Sequence, residues 1–177
     1  MDLEYIRLLY AYNQWANTRL LDQAEKLTPE QLHAPNNNAF GGVRDTLVHL
    51  METEFFWASL IWPGKAIDID WEPYEFDPKD YPDVLAIRTR WAGIESDLVA
   101  FIDKLTPEGE WSPARIIMWT DGGPMLHRRL WLSMLDVFVH ATQHRSEIAM
   151  ALTQYGQSPG ELDLSLFVRE HVPELAS

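Results

Sequence analysis

His140 and His144 stand four residues apart in the long apolar run towards the C-terminus. On a helix this spacing puts both imidazoles on one face with Cβ atoms about 5–6 Å apart, so both can reach one ion. Val137, Ile148, Ala151 and Tyr155 fall on the same face and turn the pair inward. Buried imidazoles need partners, because unpaired polar groups in a core are costly. A metal ion is one such partner; ordinary hydrogen bonds within the core are the other. His49 adds a third imidazole, set between Thr46 and Thr53 on a strip that becomes apolar at Phe56 and Leu60. Three neutral imidazoles leave coordination positions open for water or substrate, as catalytic sites do. Zinc, nickel, manganese and iron all accept such ligands. His-x-x-x-His without an intervening catalytic Glu recurs by chance, so spacing alone leaves both readings standing.

Three acids lie within a turn of these histidines. Glu52 follows His49, Asp136 precedes His140 and Glu147 stands three residues after His144. Each either orients a ligand imidazole from behind or faces solvent. His127 is a spare ligand candidate, whereas His33 and His171 fall in loops or at helix ends, where surface positions are the default.

The elements that must position these groups are helices. Leu3, Ile6, Tyr10, Asn13, Asn17, Leu20, Ala24 and Leu27 alternate steps of three and four, a repeat that packs helices nearly parallel. Asn13 and Asn17 interrupt that apolar seam. They either fix register by hydrogen bonding or line a polar pocket. Thr28-Pro29-Glu30 starts a short helical turn. A second helix is expected from Val43 to Trp62, stopping before Pro63-Gly64. The stretch from Pro63 to Asp80, rich in proline, aromatics and aspartate, is expected to cross the surface without regular structure, as segments that cover a site often do. Asp80 is expected to cap the third helix, with Pro82 in its first turn. That helix carries the wholly apolar seam Val84, Ile87, Trp91, Ile94, Leu98, Phe101 and Leu105, which reads as a structural wall without chemistry. Arg115 to Thr120 and the turn signal Asp121-Gly122-Gly123 predict a small hairpin. The fourth helix begins between Met125 and Leu130 and ends at Gly156; Leu162 to Val168 supply a short docked helix after it. The fold class is therefore all-α: a four-helix bundle with long connections, a small hairpin before the last long helix and a short C-terminal helix.

Composition narrows the function. At 177 residues the chain suits a single domain, 1–177, and 46% hydrophobic content argues against disorder. A formal charge of −13 repels phosphate backbones and anionic lipids, which disfavours nucleic-acid and membrane partners. The absence of cysteine fits a reducing cytoplasm and restricts a metal site to His, Asp, Glu and water. The acidic start at Met1-Asp2-Leu3-Glu4 is unlike a signal peptide, and no apolar run of about 18 residues is long enough to span a bilayer. The expected localisation is cytoplasmic.

Four pieces of the chain, in order, resemble the DinB family, the DinB/YfiT-like damage-inducible four-helix metalloproteins. Tyr12-Asn13-Gln14-Trp15-Ala16-Asn17 looks like that family's first-helix signature. Phe40-Gly41-Gly42-Val43-Arg44-Asp45-Thr46-Leu47-Val48-His49 is similar to the segment that delivers its first histidine. His140-Ala141-Thr142-Gln143-His144-Arg145-Ser146-Glu147-Ile148 matches the pattern carrying the second and third, and Gly156-Gln157-Ser158-Pro159 matches the ending that follows. The resemblance implies a four-helix bundle that binds a divalent metal through His49, His140 and His144, often as a homodimer. Relatives include transferases that conjugate low-molecular-weight thiols to electrophiles and a thiol-dependent isomerase. Ser146-Glu147 stands where many relatives have Gly-Gln, which leaves the ligands intact but puts transfer of a particular substrate in doubt.

Two functions from different classes fit. One is an enzyme whose metal activates a thiol or water for attack on a small electrophile, which needs no side-chain nucleophile and so agrees with the lack of cysteine. The other is a non-catalytic metal-binding stress-response protein. An open position facing a pocket favours the first, a coordinatively closed site the second.

Overall fold

The alternating three-and-four seam of the first segment folds as α1 (Leu3–Ala24). The computed structural model describes residues 3–36, 39–64, 74–106, 116–120 and 124–175. Six α-helices lie among those residues, with one small antiparallel sheet. Every seam position of α1 from Leu3 to Ala24 is buried, Asn13 and Asn17 included. Thr28 then opens α2 (Pro29–His33) through a capping box: its hydroxyl accepts from the Gln31 N–H while the Gln31 side chain accepts from the Thr28 N–H.

The helix that carries His49, α3 (Val43–Phe55), begins at Gly42. A Cβ on Gly42 would lie 2.8 Å from the Ala34 carbonyl oxygen, so the close approach of the α2 exit to the start of α3 requires glycine. The expected helix to Trp62 is continuous but not uniformly α. Its last turn, Phe56–Ile61, is π-wound, closed by the Trp62 N–H on the Trp57 carbonyl at 2.9 Å. The wider turn shifts the facing of the chain, and Ala58, Leu60, Ile61 and Trp62 are all buried.

The start of the third long helix differs from expectation. α4 (Val84–Lys104) is capped by Asp83, whose carboxylate accepts from the Ala86 N–H at 2.8 Å. Asp80 instead ends a 3₁₀ turn, Pro78–Asp80. Pro82 explains the shift: it disfavours the α region for the residue before it, so a helix cannot run continuously from Asp80. The seam from Val84 to Leu105 is buried throughout. Residues 65–73 of the expected excursion lie outside the described residues, as does the hairpin turn at 121–123.

The hairpin strands are β1 (Ile116–Trp119) and β2 (Leu126–Arg129), paired antiparallel with Met118 opposite His127. α5 (Leu130–Gln154) follows directly and carries the histidine pair. It ends as expected: Gly156, at φ +75°, donates to the Thr153 carbonyl and Gln157 donates to that of Leu152, closing a Schellman motif. The short α6 (Leu164–His171) docks through Phe167, whose ring lies 6.0 Å from Tyr12 and 5.6 Å from Trp15 of α1.

α5 packs against both α1 and α3, and α4 likewise meets α1 and α3. The core has two large apolar bodies and a small third one, Tyr12 and Ala16 with Phe167. One large body joins Leu3, Ile6 and Tyr10 to Leu98, Phe101, Met134 and the π turn. The other joins Leu20, Leu47, Leu50 and Met51 to Ile87, Trp91, Ile148 and Leu152. The buried polar residues Asn13 and Asn17 on α1 and Glu54 on α3 fall between these two along their helices, and Arg145 on α5 lies between Ala141 and Ile148 of the second. No helix among the described residues is long and apolar enough to cross a membrane.

Candidate metal centre

His49 stands two turns into α3, and His140 and His144 lie on the middle turns of α5. Packing of α3 on α5 brings the three rings together, and one ligand atom from each falls within 4.8 Å of the other two. His49 Nε2 lies 3.0 Å from His140 Nε2. At that distance one ring N–H donates to the other's lone pair, or both lone pairs address one cation. The ring planes are steeply inclined, by 64° between His49 and His140 and 85° between His49 and His144. The rings therefore point their edges at a common point and do not stack.

Electrostatics favour the neutral, ligand-competent form. Burial pushes His49 down to about 4, and the neighbouring His140 and His144 push the same way. Burial also lowers His140, again with His144 acting in the same direction and Asp136 and Glu147 opposing. His144 is buried, whereas His49 and His140 are partly exposed and form the open side of the cluster.

Of the flanking acids, Glu147 makes direct contact with the triad. Its carboxylate accepts from His144 Nδ1 at 3.1 Å, which leaves Nε2 as the lone-pair atom of that ring. The same carboxylate oxygen accepts from the Ala39 N–H at 3.4 Å, linking α5 to the loop that enters α3. Glu52 lies 3.9 Å from His49 Nδ1, too far for a hydrogen bond, and accepts instead from the Phe76 N–H at 2.8 Å. The end of the long excursion is thereby fastened beside the site. Burial raises the Glu52 carboxyl, against the pull of that N–H.

Other candidates lie elsewhere. Asp136 is committed to Arg128 at 2.6 Å on the exposed side of α5 and does not orient the His140 ring. Its position one turn from His140 put it near in sequence, but the arginine of the preceding strand is the stronger partner. His127 is exposed on β2, opposite Met118, and is not in the cluster. His33 donates to the Pro82 carbonyl at 2.8 Å, and His171 stacks on Phe167 at the far side of α1. Asn13 and Asn17 line no part of the histidine cluster; their amides are turned to Glu54 and Arg145.

Three residues of the site region carried no signal when read singly. The Phe40 ring lies flat on His49 with centroids 3.6 Å apart and meets His144 edge-on at 5.2 Å. Glu54 is fully buried and accepts from Asn13, from Asn17 at 3.1 Å and from Trp91 Nε1 at 2.7 Å. Burial raises its carboxyl, and those three donors with Arg145 pull it back. Arg145, 2% exposed, donates to the carbonyl oxygens of both asparagines and to Thr142 at 2.9 Å. Glu54 continues the buried series Val43, Leu47, Leu50, and Arg145 continues Phe138, Ala141. A charged residue on an apolar seam was the available clue. The apolar wall of α4 also takes part, because Trp91 spends its indole N–H on Glu54.

The donor set suits a divalent ion. Two nitrogens on one tetrahedral zinc stand about 3.3 Å apart given zinc–nitrogen bonds of about 2.0–2.1 Å. The observed separations, from 3.0 Å up to at most 4.8 Å, bracket that value. All three donors are imidazole nitrogens, and one has its opposite nitrogen held by a carboxylate. No curated protein matches the chain in sequence. The DinB family model matches residues 2–174, and the chain belongs to that family.

Proposed function

We propose that this member of the DinB family holds a divalent metal ion through His49, His140 and His144, and that the site is catalytic. The observation that carries the reading is the convergence of three inclined imidazoles, with two Nε2 atoms 3.0 Å apart. A divalent ion held there supplies Lewis acidity, which lowers the pKa of a thiol or water brought to it. The rest falls to this chain's own residues. Glu147 holds the Nδ1 proton of His144 and fixes the ring's tautomer. Phe40 covers one face of His49, and the Glu52–Phe76 hydrogen bond holds the end of the long excursion beside the site. The chain offers no cysteine of its own, so a thiol nucleophile comes from solution.

The reaction class we favour is attack of a low-molecular-weight thiol, or of water, on a small electrophile, in a four-helix bundle that works as a homodimer. The partial exposure of His49 and His140 supports an open coordination position over a closed one. A non-catalytic metal-binding role is the second reading. Phe40 favours it, because its ring already covers one face of His49. Metal-loaded protein assayed against a panel of thiols and electrophiles separates the two. Metal-dependent turnover that is lost in His140→Ala supports the enzyme; stoichiometric metal without turnover across the panel favours the binder.

A further inference from the structure

The layer of Asn13, Asn17, Glu54 and Arg145 joins three helices, but only two of them carry histidines. Both asparagines are oriented alike: their carbonyl oxygens accept from Arg145 Nη1, and their amide nitrogens donate to Glu54 Oε1. A cation on α5 and an anion on α3 are thus connected through a pair of amides on α1. Glu54 stands five residues after His49, and Arg145 is the immediate neighbour of His144. Trp91 of α4 completes the acceptor side on Glu54. All four residues of the layer are at most 3% exposed, and Arg145 Nε is buried without a hydrogen-bond partner.

We infer that this layer is a positioning device: through α1 it fixes the register of α3 against α5, and so places His49 opposite His140 and His144. The inference rests on reading the triad as a metal site. A buried charged layer is a poor way to gain stability, since well-packed apolar residues of similar volume do at least as well. What such a layer does well is forbid alternative registers, as a single buried asparagine does in a coiled coil. The two large apolar bodies are built mainly of Leu, Ile, Val, Ala and Met, which tolerate sliding far better than a fixed set of donors and acceptors. A slip of α5 by one residue moves its atoms about 1.5 Å, and by one turn about 5.4 Å. Either is large against the 3.0 Å between His49 Nε2 and His140 Nε2. The four groups of the layer make these pairings in one register only.

The test uses the full-length protein, stripped with a chelator and titrated with cobalt(II), whose visible bands report ligand geometry. Wild type is compared with Arg145→Lys, which keeps the cation but loses the fork that joins the two asparagines (through Nη1) to Thr142 (through Nη2), and with the pair Glu54→Gln/Arg145→Met, which removes both charges. Phe101→Ala, in the other part of the core, serves as a control that lowers stability without touching the layer. Folding of each is followed by circular dichroism. The expected result is a cobalt affinity at least about tenfold weaker in the layer variants, with altered bands, and wild-type affinity and bands in Phe101→Ala. Folded layer variants that bind within twofold of wild type with unchanged bands overturn the inference, as does a control that shifts them equally. If the charge-free pair does not fold, Arg145→Lys decides on the same criteria. A wild-type protein that takes up no cobalt overturns the metal reading itself, a distinct result from normal uptake in every variant.

Discussion

Replacing Arg145 by Met leaves a hydrocarbon of similar length but removes every polar contact the guanidinium makes. The Oδ1 atoms of Asn13 and Asn17 and the hydroxyl of Thr142 lose their donor, and the Glu54 carboxylate loses the one cation relayed to it. Breaking one side of a buried charged pair costs about 3–5 kcal/mol, against a typical domain stability of about 5–15 kcal/mol. The loss should depend on pH in a definite direction. Burial already holds the Glu54 carboxyl above its ordinary value, with Arg145 opposing, so the variant raises it further. An acid whose folded value is raised costs nothing below its unfolded value of about 4.5. Its penalty grows as pH rises through the folded value. The deficit of Arg145→Met should therefore be larger at pH 8 than at pH 5. Urea unfolding at the two pH values measures it, and adding Glu54→Gln should recover about 1–3 kcal/mol of coupling at pH 8. A deficit below about 1 kcal/mol at both pH values, or one that shrinks as pH rises, would refute the account of this layer.

Other consequences are smaller or more local. Glu95 is raised to about 7 by burial, with Glu54 pushing the same way, so the wild type loses stability as pH climbs from about 4.5 through 7. Glu95→Gln should therefore gain about 1 kcal/mol at pH 8, allowing for its partial exposure, and nothing at pH 4, read from urea midpoints. Gly156→Ala forces a Cβ into the left-handed region at φ +75° and should cost about 1 kcal/mol in thermal or urea unfolding without changing metal uptake. Glu147→Ala frees the His144 Nδ1 and should weaken zinc binding about 10- to 100-fold by competition with a chromophoric chelator, with stability within about 1 kcal/mol of wild type.

The helices were largely legible because their seams are regular. Leu3 to Ala24 and Val84 to Leu105 follow the steps of three and four, and nearly every position they name is buried. Ends were legible where one residue type is required, as at Thr28 and Gly156. They were not where two acids competed: Asp80 and Asp83 both suit a cap, and only the restriction before Pro82 decides between them. The winding change at Phe56 leaves no mark in an apolar pattern, since a π turn and an α turn bury similar residues. At the site, the histidines stood out because their type and spacing are uncommon on an apolar face. Asp136 looked equally near His140, but proximity along a helix says nothing of a partner supplied by the strand before it, and Arg128 claims it. Glu54 and Arg145 were hidden for the opposite reason. Each is of a type that is ordinarily solvated, and its burial depends on partners supplied by other helices.

Metal content tests the central claim most directly. Elemental analysis of the wild type and of His144→Ala, each purified without added metal and then incubated with zinc and desalted, should show about one divalent ion per wild-type chain. His144→Ala should retain almost none while its circular dichroism stays helical. Equal metal in the two proteins, or none in a folded wild type, would contradict it.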